Sequence, residues 1–189
     1  MNSIIKRLIN WKVCLLFSGL FLLYLFLILP NESSKSDLIT GGLASPDTEF
    51  FYTSDYLQDL VSSYSPEARE YYVVSKVRFD ILWPLVYGIW LTSSIGLLIK
   101  GIKKTGSFGE KAIINWLPLL PLVAVGFDFL ENITVSIVML THPDVSWVIL
   151  NAAPVLTTLK WFTLGGSMVI AMVLLGYFIF RMLKSRLVT

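Results

Sequence analysis

Across 189 residues the chain is 55% hydrophobic and 14% aromatic but only 15% charged, whereas soluble domains run to about 45–50% apolar and about 25% charged residues. That balance, with a mean hydropathy of +0.71, excludes an ordinary water-soluble domain and points to a polytopic membrane protein. The net charge of +2 comes with no basic patch away from span ends, so no nucleic-acid partner is expected. The single cysteine, Cys14, allows neither an internal disulfide nor a CxxC motif, and the lone His142 cannot build a histidine-rich metal site. No cofactor motif is present and no metal is expected.

The first apolar block, Val13 to Pro30, is entered by Lys6, Arg7 and Lys12 and left through Asn31-Glu-Ser33. Its length and the lack of a small-x-small cleavage pattern before Asn31 predict a retained anchor rather than a signal peptide. Residues 31 to 66 form a large element between the first two spans. Asn31 to Asp47 is rich in Ser, Gly and Asp and reads as a linker. Phe50, Phe51 and Tyr52 then precede an N-cap cluster, Thr53-Ser-Asp55, followed by Tyr56, Leu57, Leu60, Val61 and Tyr64 at helical spacing. This predicts an amphipathic helix lying on the membrane surface or across the mouth of the bundle. Ser65-Pro66-Glu67 restarts a helix with a serine cap, proline in the first turn and an early acid. That helix should carry the second span, Phe79 to Ile99, and kink near Pro84. Residues 100 to 111 read as a short glycine-containing hairpin, Ala112 to Leu140 as the third span and Val155 to Phe180 as the fourth. Pro143 stops the third helix, and Gly165-Gly166 with Gly176 are expected to permit close helix packing.

Basic residues near span ends stay cytoplasmic. Ten of them, from Lys6, Arg7 and Lys12 through Lys100–Lys111 to Arg181, Lys184 and Arg186, fall on one side with a single acid, Glu110. The other side, residues 31 to 80 and 141 to 147, holds ten acids against Lys35, Arg69, Lys76 and Arg78. The expected architecture is therefore one all-α, four-helix membrane domain in the cell membrane, with both termini cytoplasmic and residues 31–66 outside as a cap. The layout resembles small four-span proteins of bacterial inner membranes, a likeness of topology alone.

Four ionisable residues lie inside or at the rim of apolar spans, where a charge costs about 2.5–3.5 kcal/mol and normally faces a partner or cavity. Counting from the cytoplasmic ends at 1.5 Å per residue sets Asp80 at roughly 29 Å, Asp128 at roughly 24 Å, Glu131 at roughly 28 Å and Lys160 at roughly 31 Å, with Tyr87 at roughly 18 Å. Three helices thus supply one polar layer near the outer leaflet. Asp128, Glu131 and Asn132 share a helix face, as do Lys76, Asp80, Trp83 or Pro84, and Tyr87. On the fourth helix, Lys160 aligns with Leu156, Thr157, Thr163 and Ser167. Lys160 is expected to neutralise one carboxylate and Arg78 a second. Glu131 and Asp128, then Lys160 and Asp80, are the candidate acid–base residues, and Asn132, Tyr87, Arg78 and Trp83 the candidate ligand contacts.

Three functions fit. In the leading one the cluster binds a lipid-like or amphiphilic ligand under the cap, with a carboxyl of raised pKa available for acid–base chemistry. In the second it loads and releases protons in a transport subunit, and four helices then imply a homo-oligomer or a partner membrane protein. In the third it belongs to a structural, chaperone or immunity-type subunit whose charges only pair helices. No Ser-His, Cys-His or zinc arrangement supports covalent or metal-assisted hydrolysis.

Overall fold

The computed structural model describes residues 3–104 and 112–187. All regular structure among them is helical, and four helical runs are long and apolar enough to cross a membrane: Trp11–Thr40, Pro66–Lys104, Leu117–Thr141 and Trp147–Lys184. The turn of the expected hairpin at 100–111 lies outside the described residues.

Helix α1 (Ser3–Leu8) precedes the first run, which consists of α2 (Trp11–Leu23), a π-helical turn (Tyr24–Ile28) and α3 (Leu29–Thr40). The expected linker over 31–47 is thus largely helix. Its stop is Gly41-Gly42, with φ of 69° and 79°. In this left-handed region a side chain would be strained, and the two glycine N–H groups donate back to the Asp37 carbonyl. Helix α4 (Ser54–Ser63) is capped by Thr53, whose hydroxyl accepts from the Tyr56 N–H at 3.2 Å. Helix α5 (Pro66–Arg78) is capped by Ser65, which accepts from Ala68 at 3.1 Å. After a break at residues 79–81, α6 (Leu82–Lys104) continues the second run. The break follows from Pro84, which cannot donate to the Asp80 carbonyl and whose ring clashes with it. Helix α7 (Leu120–Thr141) begins eight residues into the third apolar block, because Pro118 and Pro121 confine Ala112–Leu119 to two short 3₁₀ turns. Helix α8 (Trp147–Leu187) starts well before its apolar block and contains Pro154.

The chain divides into two compact units. The first gathers Met1–Phe21, Val86–Val123 and Thr163–Thr189. Its core is aliphatic, with Ile95, Ile99, Ile102, Ile114 and Leu174 buried together. Close approach there occurs at Gly96, where a Cβ would stand 2.6 Å from the Ile9 side chain, and at Gly101, where it would stand 2.7 Å from the Phe178 ring. Gly165 and Gly176 face open space instead, and Gly166 has one neighbour at 3.9 Å, so the expected packing role passes to Gly96 and Gly101. Lys100 donates to the Ile9 carbonyl at 2.9 Å, which ties α6 to the turn between α1 and α2.

The second unit comprises Leu22–Leu85 and Ala124–Phe162. Leu57 and Val61 of α4 are fully buried, and Leu60 and Tyr64 nearly so, against Ala68 and Tyr72 of α5, Val135, Val138 and Met139 of α7, and Leu150 and Ala153 of α8. The amphipathic helix is therefore a packed element of this core. Arg69 closes its far end, donating to the Val61 and Tyr64 carbonyls at 3.3 and 2.7 Å. The segment between α3 and α4 is held too: Tyr64 donates to the Ala44 carbonyl at 2.8 Å. Phe50 stacks on Trp161 at 4.6 Å, and Phe51 meets Phe162 edge-on at 5.9 Å.

Candidate functional site

The polar residues of the second unit meet on a 3₁₀ turn, Pro46–Thr48, that carries Asp47. The turn forms because Ser45 takes an extended conformation, Pro46 opens the turn, and the Thr48 N–H and hydroxyl both donate to the Ser45 carbonyl. Asp47 is then used through both its groups. Its carboxylate pairs with Lys76 of α5 at 2.5 Å and accepts from the Ser45 hydroxyl, while its backbone carbonyl accepts from Lys160 of α8 at 3.0 Å. Burial raises the pKa of the Asp47 carboxyl, but the charges of Lys76 and Lys160 and the bonds from Lys76 and Ser45 outweigh it. The group is held well below the usual carboxylate range.

One arm of the network is sealed. Lys160 pairs with Glu131 of α7 at 2.5 Å, with side-chain exposures of only 6% and 0%. The other Glu131 oxygen accepts from the Thr157 hydroxyl at 2.6 Å. With its proton so committed, Thr157 accepts from the Tyr52 hydroxyl 2.9 Å away. Burial pushes the Tyr52 hydroxyl upward, which keeps it a donor. Thr157 also reaches the Ala153 carbonyl of its own helix at 3.1 Å, while the bonds to Glu131, Lys160 and Tyr52 link α7, α8 and the segment leading into α4.

The other arm opens onto a cavity of about 470 Å³. Lys76 bridges Asp47 and Asp80, 2.5 Å from each, and stands 4.8 Å from the centre of the Tyr72 ring. Asp47 and Asp80 each keep about 21% of their side-chain surface exposed. All three line the cavity. Its apolar wall includes Tyr24, Ile28 and Leu29 from the π turn and the start of α3, together with Phe79 and Trp83. Tyr24 and Trp83 stack at 5.5 Å. The π turn therefore falls where the first span faces the cavity, and π segments recur at functional sites because they re-aim side chains out of α-helical phase.

Among the residues singled out from the sequence, the structure brings Asp80, Glu131 and Lys160 into one network, with Asp47 and Lys76 as intermediaries. Trp83 lines the cavity beside Asp80. Asp128 and Asn132, both buried, are joined along α7 by a bond from the Asn132 amide at 2.9 Å. Tyr87 is buried in the other unit. Arg78 does not neutralise a carboxylate: it is exposed and makes no ion pair among the described residues. Lys76 takes that place. It stands four residues from Asp80 and shares its helix face, whereas Arg78 lies about 200° around the helix from Lys76. Asp47 and Tyr52 join the network without having stood out in the sequence, and Thr157, expected on the Lys160 face, joins it through Glu131. A signal for Asp47 was present: Ser45-Pro46-Asp47 repeats the cap–proline–acid pattern of Ser65-Pro66-Glu67.

No protein-family model, curated protein or solved structure matches the chain.

Proposed function

We propose that this chain is a four-helix membrane protein that binds an amphiphilic, lipid-like ligand in the cavity of its second unit. The observation that carries the reading is the cavity's two-sided lining: aliphatic and aromatic side chains of the first and second spans on one part, and the Asp47–Lys76–Asp80 group on the other. A chain-like apolar body and a polar head are what such a lining accommodates, and about 470 Å³ lies within the range of small-molecule sites. The distribution of lysine and arginine supports cytoplasmic termini, which sets residues 41–65 and the cavity on the outer side. The complete burial of Glu131 and its pairing with Lys160 favour binding over acid–base chemistry at that carboxyl.

The test is saturable quenching of tryptophan fluorescence by a neutral, chain-brominated alkyl maltoside, with the protein in nanodiscs. Trp83 should be the residue quenched, so Trp83→Phe should remove the saturable component. Ser36→Phe should weaken binding, because Ser36 lines the cavity and a bulky ring there occupies part of it. Quenching that rises linearly with the brominated maltoside in all three proteins contradicts the proposal.

A further inference from the structure

We infer that the head group recognised in this cavity is a protonated amine; the inference rests on the amphiphile-binding reading and specifies its ligand. Four acids line the cavity, Glu32, Asp37, Asp47 and Asp80, against one lysine, Lys76. Lys76 is spent between Asp47 and Asp80, so even its own cluster keeps one negative charge in excess. Glu32 is paired with Lys35 on the exposed side of α3, and Asp37 makes no ion pair among the described residues. A site with this balance repels phosphate and sulfate heads and attracts an organic cation.

Two further features favour a cation that carries N–H groups. Asp47 and Asp80 keep about 21% of their side-chain surface exposed and line the cavity, so their carboxylates are available there as acceptors. A carboxylate accepts strongly from an ammonium N–H, which a quaternary head group lacks. The aromatic rings of Tyr24, Tyr71 and Trp83 lie in the same lining. Cations sit favourably over such faces when desolvated. Acid excess, partly exposed carboxylates and aromatic faces together describe recognition of an alkylammonium head whose chain lies along Ile28 and Leu29.

The experiment compares four probes of equal chain length displacing the brominated alkyl maltoside from the protein in zwitterionic nanodiscs: dodecylammonium, dodecyltrimethylammonium, dodecyl maltoside and dodecyl sulfate. Dodecylammonium should bind at least about tenfold more tightly than the maltoside. The trimethyl probe should fall between them, and the sulfate should be the weakest. Asp37→Asn, whose side chain is exposed and outside the ion-pair network, should lower the dodecylammonium affinity about threefold relative to that of the maltoside. Asp80→Asn should shrink the preference for the primary ammonium over its trimethyl form. Equal binding of ammonium, maltoside and sulfate overturns the amine assignment while leaving the amphiphile site in place. Absence of saturable binding by every probe overturns both.

Discussion

The two arms that meet at Asp47 are made of the same residue types, yet their settings differ. In the Glu131–Lys160 arm the paired side chains keep only 0% and 6% of their surface exposed. Thr157 and Tyr52 complete its hydrogen bonding, and it cross-links α7, α8 and the segment before α4. The Asp47–Lys76–Asp80 arm is half-open, borders a cavity and carries one more negative charge than positive. Charge pairs inside a membrane are thus not a single class of feature. A pair sealed on every side sets register between helices, whereas one with a free edge and an unbalanced charge is available to a ligand.

Substitutions separate the arms, and the largest effect belongs to the sealed one. Lys160→Met leaves Glu131 buried without its cation and should cost about 3–5 kcal/mol, read as a fall in the thermal midpoint in detergent. The double variant Lys160→Met/Glu131→Gln should recover part of that loss, because the uncompensated charge is gone. If the double variant is as unstable as the single, the pair is not what couples α7 to α8.

Next comes acidification. The Asp47 pKa is depressed in the fold, so its contribution is complete above about pH 4, near the ordinary aspartate value, and is lost as pH falls below that value towards the folded-state pKa. Asp47→Asn should therefore lower stability at neutral pH by about 1–3 kcal/mol and flatten the acid limb of a midpoint-versus-pH plot. An unchanged acid limb removes Asp47 from its position as the joint. Tyr52→Phe should cost about 1 kcal/mol, the worth of one buried hydrogen bond, with no effect on probe binding. Asp80→Asn should be the mildest for stability, within about 1 kcal/mol, since Lys76 keeps Asp47.

The helices and the partners of the sealed pair were legible because they rest on short-range rules. Apolar run length marked the four spans, Thr53 and Ser65 marked helix starts, and the count of residues from the span ends brought Glu131 and Lys160 to similar heights. The Lys76–Asp80 pairing was legible as an i, i+4 spacing, although its competitor Arg78 carried the expectation of neutralising a carboxylate. Ser45-Pro46-Asp47 marked a turn, but the partners of Asp47 were not legible. They depend on the turn that connects α3 to α4, and a serine- and glycine-rich stretch gives no periodicity from which to place a side chain or a carbonyl. The helical course of α3 was obscured for a related reason: its polar residues after Pro30 lack an apolar stripe, and only the Gly41-Gly42 stop marks its end. The cavity, built from that helix and that turn, was hidden with them.

The most direct test of the division pairs two variants, Glu131→Gln and Asp80→Asn, each measured for thermal midpoint and for displacement of the brominated alkyl maltoside by dodecylammonium. Glu131→Gln should lose stability and keep wild-type probe affinity once the comparison is made below its midpoint. Asp80→Asn should keep its stability and lose affinity for the ammonium probe. The opposite pattern, a stable Glu131→Gln that no longer binds beside a destabilised Asp80→Asn that does, would place the ligand at the sealed arm and contradict the account.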